Sequence, residues 1–127
     1  MYFQGCAHQT DRSIIIAGPT ASGKSFLIDE LKPFISKRRI VHREETEKRN
    51  FVPKNSIVHW PAAEKFPKNV DFKNVGVVIM LNKTWDDYCA NVEARKHRTQ
   101  YSQLGLATTY SNWRNYFGSH NIPIIEM

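Results

Sequence analysis

Long apolar runs are missing from this 127-residue chain: its longest are four to seven residues, against the roughly 18 that a membrane-spanning helix requires. Cysteine is scarce, with two residues, Cys6 and Cys89. They form no CxxC pair and belong to no His/Cys group at metal-ligand spacing, which excludes a disulfide framework and a zinc ribbon. Glycine and proline number six each, too few for a collagen-like or low-complexity chain. Acidic residues are the minority, 12 against 18 Lys and Arg, for a net charge of +6. That balance favours anionic partners such as phosphates, nucleotides or nucleic acid, and indicates only the sign of the field.

What remains is an ordinary globular composition, 41% hydrophobic and 24% charged, on a length that suits one core. Met1-Tyr2-Phe3-Gln4-Gly5 looks like the remnant of an engineered protease site and is set aside. Residues 6–127 are read as one domain. No basic segment leads into an apolar leader, so a reduced cytoplasmic setting is expected, with Cys89 a packed helix residue.

Short apolar runs alternate with amphipathic stretches, the pattern of an α/β protein with a mostly parallel sheet. Ser13–Ala17 is a β-branched run of the kind buried on both faces. Gly23–Leu31 reads as a helix with Leu27, Ile28 and Leu31 on one face, limited by Pro33. Arg39–His42, Ser56–Trp60 and Val75–Leu81 read as further strands, and Glu44–Asn55 as a loop or short helix. Thr84-Trp85-Asp86-Asp87 fits a capping box, followed by Trp85, Tyr88, Cys89 and Val92 at helical spacing. A last helix is expected around Ser111–Phe117, ending at Gly118, with Ile122–Ile125 as a closing strand.

The strongest motif is Gly18-Pro19-Thr20-Ala21-Ser22-Gly23-Lys24-Ser25, which satisfies G-x-x-x-x-G-K-[ST] between an apolar strand and a helix. Gly18 and Gly23 let the backbone turn tightly, so that the N–H groups of Thr20, Ala21 and Ser22 converge on phosphate oxygens. The helix that starts there adds its positive end. Lys24 supplies a cation to the β- and γ-phosphates, and the Ser25 hydroxyl a ligand for Mg²⁺. Phe26 follows on the nucleotide-contacting segment. The pattern therefore predicts binding of a nucleoside triphosphate, ATP, with Mg²⁺. No Asn-Lys-x-Asp guanine motif occurs, since Asn82-Lys83-Thr84-Trp85 lacks the acid, which argues against a GTPase.

At this point the chain resembles the small P-loop kinases that phosphorylate nucleotides, nucleosides or polynucleotide 5′ ends. The resemblance rests on Gly18–Ser25, His42–Arg49 and Val75–Arg98. It implies a three-layer α/β P-loop fold, a parallel sheet of about five strands with helices on both faces and the phosphate-loop strand placed centrally. It implies phosphoryl transfer to a small nucleotide-like acceptor or a nucleic-acid 5′ hydroxyl. Arg95 and Arg98, on and after the helix that begins at Trp85, would be the lid arginines that stabilise charge on the transferring group. Arg95 lies seven residues beyond Tyr88 and so continues that helix's inward stripe, although a solvated basic helix end reads the same way. Glu44 or Glu45 would serve the acceptor as a base. A phosphate acceptor would instead be gripped by Arg43 or Arg49, and Thr46-x-x-Arg49 faintly resembles the gripping segment of guanylate-kinase-like proteins. Phe51 and Trp60 stand where a base would stack, or pack as core.

One departure stands out. The apolar strands end in His59-Trp60 and Leu81-Asn82, with no strand-end Asp for Mg²⁺; His59 occupies that place. This keeps two other classes open: a nucleotide-binding regulatory module with little turnover, and a nucleic-acid-associated ATPase.

Overall fold

The computed structural model describes residues 12–19, 24–31, 39–61, 68–94 and 102–127. Ser13–Gly18 forms strand β1, whose Ile15, Ile16 and Ala17 are fully buried. A run of three β-branched residues with no polar face is stable only when covered on both sides. Helix α1 (Lys24–Leu31) lies over one side through Ile28, with Leu27 and Leu31 partly buried beside it. Strand β2 (Arg39–His42) passes directly into helix α2 (Arg43–Arg49), which resolves the Glu44–Asn55 expectation in favour of a short helix. Asn50 ends that helix in the left-handed region, φ 60°, its N–H donating to the Thr46 carbonyl, a geometry asparagine tolerates well.

Strands β3 (Ser56–Pro61) and β4 (Val75–Met80) follow. Helix α3 (Trp85–Ala94) starts where the cap was expected, with the Thr84 hydroxyl accepting from the Asp87 N–H at 3.1 Å. Tyr88 and Val92 are its buried residues, and Trp85 and Cys89 pack partly buried beside them. Helix α4 (Gln103–Ser119) is longer than expected and does not end at Gly118. It begins at Ser102, whose hydroxyl accepts from the Gly105 N–H, and closes at His120 with Asn121 at φ 60°. Strand β5 (Ile124–Glu126) completes the sheet just after Pro123.

The five strands form one sheet in the order β2-β3-β1-β4-β5, every pairing parallel. Among the described residues its faces are covered unequally. Ile16, Ile57 and Leu81 meet Ile28 of α1 on one face, with Ile14 and Ile79 beside them. On the other, Ile15, Ala17, Val58, Trp60, Val78 and Met80 pack against Tyr88 and Val92 of α3 and Leu106, Tyr110, Trp113 and Phe117 of α4. The result is a three-layer α/β architecture with β1 at the centre. No described helix is long and apolar enough to cross a membrane.

Candidate phosphate-binding edge

All five strands point the same way, so their carboxyl ends share one edge. From β1 the chain turns through α1 toward β2 on one side, and from β4 it turns through α3 and α4 toward β5 on the other. Connections leaving two adjacent strands in opposite directions open a crevice at their carboxyl ends, the usual ligand position in open α/β sheets.

Lys24 opens α1 at this edge. Its residue is only 6% exposed, and its Nζ donates to the carbonyls of Gly18 at 2.6 Å and Pro19 at 2.7 Å. Burying an ammonium is costly unless it is hydrogen-bonded, and charge-assisted bonds to carbonyls offset that cost. The amine is thus folded over the backbone that leaves β1, with the helix's positive end beside it. A side chain held in this way suits an anion that replaces the carbonyls as its partner. Of the Gly18–Ser25 segment, the described residues supply this one cation for an anionic ligand. Gly18 itself is the last residue of β1, and Phe26 projects from α1 with 67% exposure. Thr20, Ala21, Ser22 and Gly23 lie outside the described residues, as does the Ser25 side chain, although Ser25 occupies the second position of α1.

The next strands bring two imidazoles to the same edge. His42 ends β2 and pairs in register with His59 of β3. The rings meet edge to face with centroids 5.6 Å apart. Side chains alternate along a strand, so His59 shares the face of Ile57, which is the α1 face. His59 is half-buried, and its pKa is lowered below the ordinary 6.5, first by burial, then by the Lys24 and His42 charges, with Glu44 opposing. Its imidazole is therefore neutral at physiological pH. Glu44 and Glu45 are exposed in the first turn of α2, at the end of β2, and Arg43 is ion-paired with Glu47 one turn on.

Other sequence candidates lie elsewhere. Trp60 is fully buried on the opposite face, its ring 5.4 Å from Phe117 and 6.1 Å from Tyr116; it is core and has no surface for a base. Phe51 is exposed but bridges to Asp71 ahead of β4, at the amino end of the sheet. Thr46 is fully buried and Arg49 sits exposed in the far turn of α2, about 9 Å of helix rise beyond Arg43, so the Thr46-x-x-Arg49 segment forms no grip at the carboxyl edge. Arg95 and Arg98 lie outside the described residues, the described part of α3 ending at Ala94. Among the described residues, no three His, Cys, Asp or Glu side chains gather as a metal site.

Sequence reasoning placed His59 at a strand end but missed its pairing with His42. The available signal was that both histidines close short β-branched runs; their adjacency depends on strand order, which spacing does not encode. Among known proteins, no family model matches the chain, and no curated protein matches its sequence.

Proposed function

We propose that the chain is an ATP- and Mg²⁺-dependent phosphotransferase of the P-loop kinase type, acting on a small nucleotide-like or 5′-hydroxyl acceptor. The observation that carries the reading is the Gly18–Ser25 motif set between a buried central parallel strand and a helix, with the Lys24 ammonium held over the Gly18 and Pro19 carbonyls. Lys24 and the loop amides would bind the β- and γ-phosphates, exchanging carbonyl partners for phosphate oxygens. Ser25 would hold Mg²⁺, which when bound shields the charge of those phosphates. Arg95 and Arg98 would neutralise charge developing on the transferred group. Glu44 and Glu45, at the mouth of the edge, would face the acceptor.

A second reading, a nucleotide-binding module with little turnover, is favoured by the lack of a carboxylate to assist the metal near the ends of β3 and β4, where His59 stands two residues before the end of β3 and Asn82 two residues after β4. Calorimetry with Mg·ATP followed by radiolabel transfer separates the two. Lys24→Ala is expected to weaken ATP binding by more than 100-fold, while Arg95→Ala leaves binding intact and cuts turnover. Binding with no transfer to any nucleoside, nucleotide or 5′-hydroxyl oligonucleotide would favour the module. Equal ATP affinity in the parent and Lys24→Ala would refute both.

A further inference from the structure

The phosphotransferase reading leaves the acceptor open between a phosphate and an alcohol, and the side chains at the carboxyl edge bear on that choice. A phosphate acceptor arrives as an anion; it has no proton to lose and needs cations to hold it. An alcohol must lose its proton as it attacks, and needs an unprotonated base, an imidazole or a carboxylate, within reach. Among the described residues, the α1-side edge beyond Lys24 presents the imidazoles of His42 and His59 and, at the start of α2, the carboxylates of Glu44 and Glu45. Arg43, the cation nearest them in the chain, is engaged with Glu47. This set would repel a dianion and suits a hydroxyl.

Resting on that phosphotransferase reading, we infer that His59 accepts the proton of an acceptor hydroxyl, and that the acceptor is an alcohol such as a nucleoside or a 5′-hydroxyl end. The acceptor oxygen forms a bond to the γ-phosphorus as the bond from that phosphorus to the bridging β–γ oxygen breaks. ADP leaves with the bond's electron pair, and the hydroxyl proton passes to the His59 imidazole and then to solvent. The geometry supplies the parts. His59 is on the same face as the helix that carries Lys24, half-buried, and one strand from the phosphate-loop strand, in register with Ile16. Among the described residues, no hydrogen bond engages the ring, and its ring–ring contact is with the edge-to-face His42.

The groups that act on the His59 proton come from each element around it: Lys24 from α1, His42 from β2 and Glu44 from α2, while its β1 neighbour Ile16 carries no charge. Burial, Lys24 and His42 all disfavour the protonated ring and Glu44 favours it, so on balance the base form is favoured over that of a free imidazole.

The test uses the intact chain with Mg·ATP over pH 5–9. A fluorescent ATP analogue reports binding independently of turnover, water serves as the simplest hydroxyl acceptor, and thymidine, a 5′-hydroxyl oligonucleotide and thymidine 5′-monophosphate serve as added acceptors. The parent is expected to hydrolyse ATP slowly with an acid limb, and to label hydroxyls. His59→Gln is expected to keep ATP affinity within twofold, lower the hydrolysis rate by about 10²-fold or more and lose the limb. Should His59→Gln melt early, His42→Asn at the exposed neighbour decides instead, since removing that like charge moves the limb to higher pH. An unchanged rate and profile in His59→Gln, a parent with no acid limb, or labelling confined to the monophosphate's phosphate would each overturn the inference while leaving ATP binding intact. Absence of ATP binding in the parent would refute the phosphotransferase reading itself, and with it this one.

Discussion

Replacing Tyr110 by Phe isolates one polar clip without opening a cavity. The Tyr110 hydroxyl donates to the Leu81 carbonyl at 2.9 Å and accepts from the Lys83 N–H at 3.0 Å, so it ties α4 to the loop that carries β4 into α3. The residue is 3% exposed and its ring packs tilted against Trp113, centroids 5.8 Å apart; Phe preserves that packing. What is lost is the partner of a buried carbonyl and of a partly buried amide. A buried group left unpaired costs about 1–3 kcal/mol, and the Lys83 amide, partly open to water, recovers some of its share. The expected loss is about 2 kcal/mol. In urea the midpoint should fall with the slope unchanged, because the surface exposed on unfolding is the same. At roughly 4 °C per kcal/mol for a domain of this size, the melting temperature should drop by about 8 °C. A variant within about 0.5 kcal/mol of the parent would refute the reasoning, since it would mean that water serves both backbone groups as well as the phenol does. The same burial raises the phenol's pKa above its ordinary 10, against the opposing Lys83 amide bond.

Ser13→Ala removes a fully buried hydroxyl that donates to the Pro53 carbonyl and accepts from the Ser56 N–H; a loss of about 1–3 kcal/mol is expected by chemical denaturation, and a neutral result would refute the clasp between β1 and the start of β3. Glu126→Gln tests a surface pair. Arg114 donates twice to Glu126, and that bond, with a second from Asn82, holds the Glu126 pKa below its ordinary 4.5. A depressed carboxylate stabilises above its unfolded pKa and loses the contribution as pH falls through the folded one. With both partners well exposed, the parent's advantage should be at most about 1 kcal/mol at pH 7 and be lost as pH falls through the lowered Glu126 pKa, and an advantage that persists in strong acid would refute the pairing.

Strands and caps were legible where the cause is local. The β-branched run at Ser13–Gly18, the four residues of Arg39–His42 and the Thr84 cap all follow from side-chain shape or short-range hydrogen bonding. The first turns of α4 were not. Gly105, Thr108 and Thr109 are poor helix formers, and their place in the helix is decided by Leu106 reaching the core four residues ahead of Tyr110. Of the two readings open for Trp60, core packing holds, and the sequence could not say against what: its neighbours Phe72, Tyr116 and Phe117 come from distant segments, so its burial is a property of the assembled sheet. The same limit applied at the candidate site. The glycine–lysine motif is contiguous and visible, whereas the His42–His59 contact joins residues 17 apart through strand order.

The unequal cover of the two sheet faces has a mechanical consequence. Among the described residues, α1 is fixed by a small aliphatic patch centred on Ile28, while α3 and α4 are locked by Tyr88, Trp113 and Phe117. Amide hydrogens of α3 and α4 should therefore exchange only with near-global unfolding, and those of α1 through cheaper local openings. The sheet and its aromatic layer act as a rigid base plate. The helix bearing Lys24 rides on it as the softer layer, so the proposed exchange of the lysine's backbone partners for a phosphate would fall on the element freest to tilt.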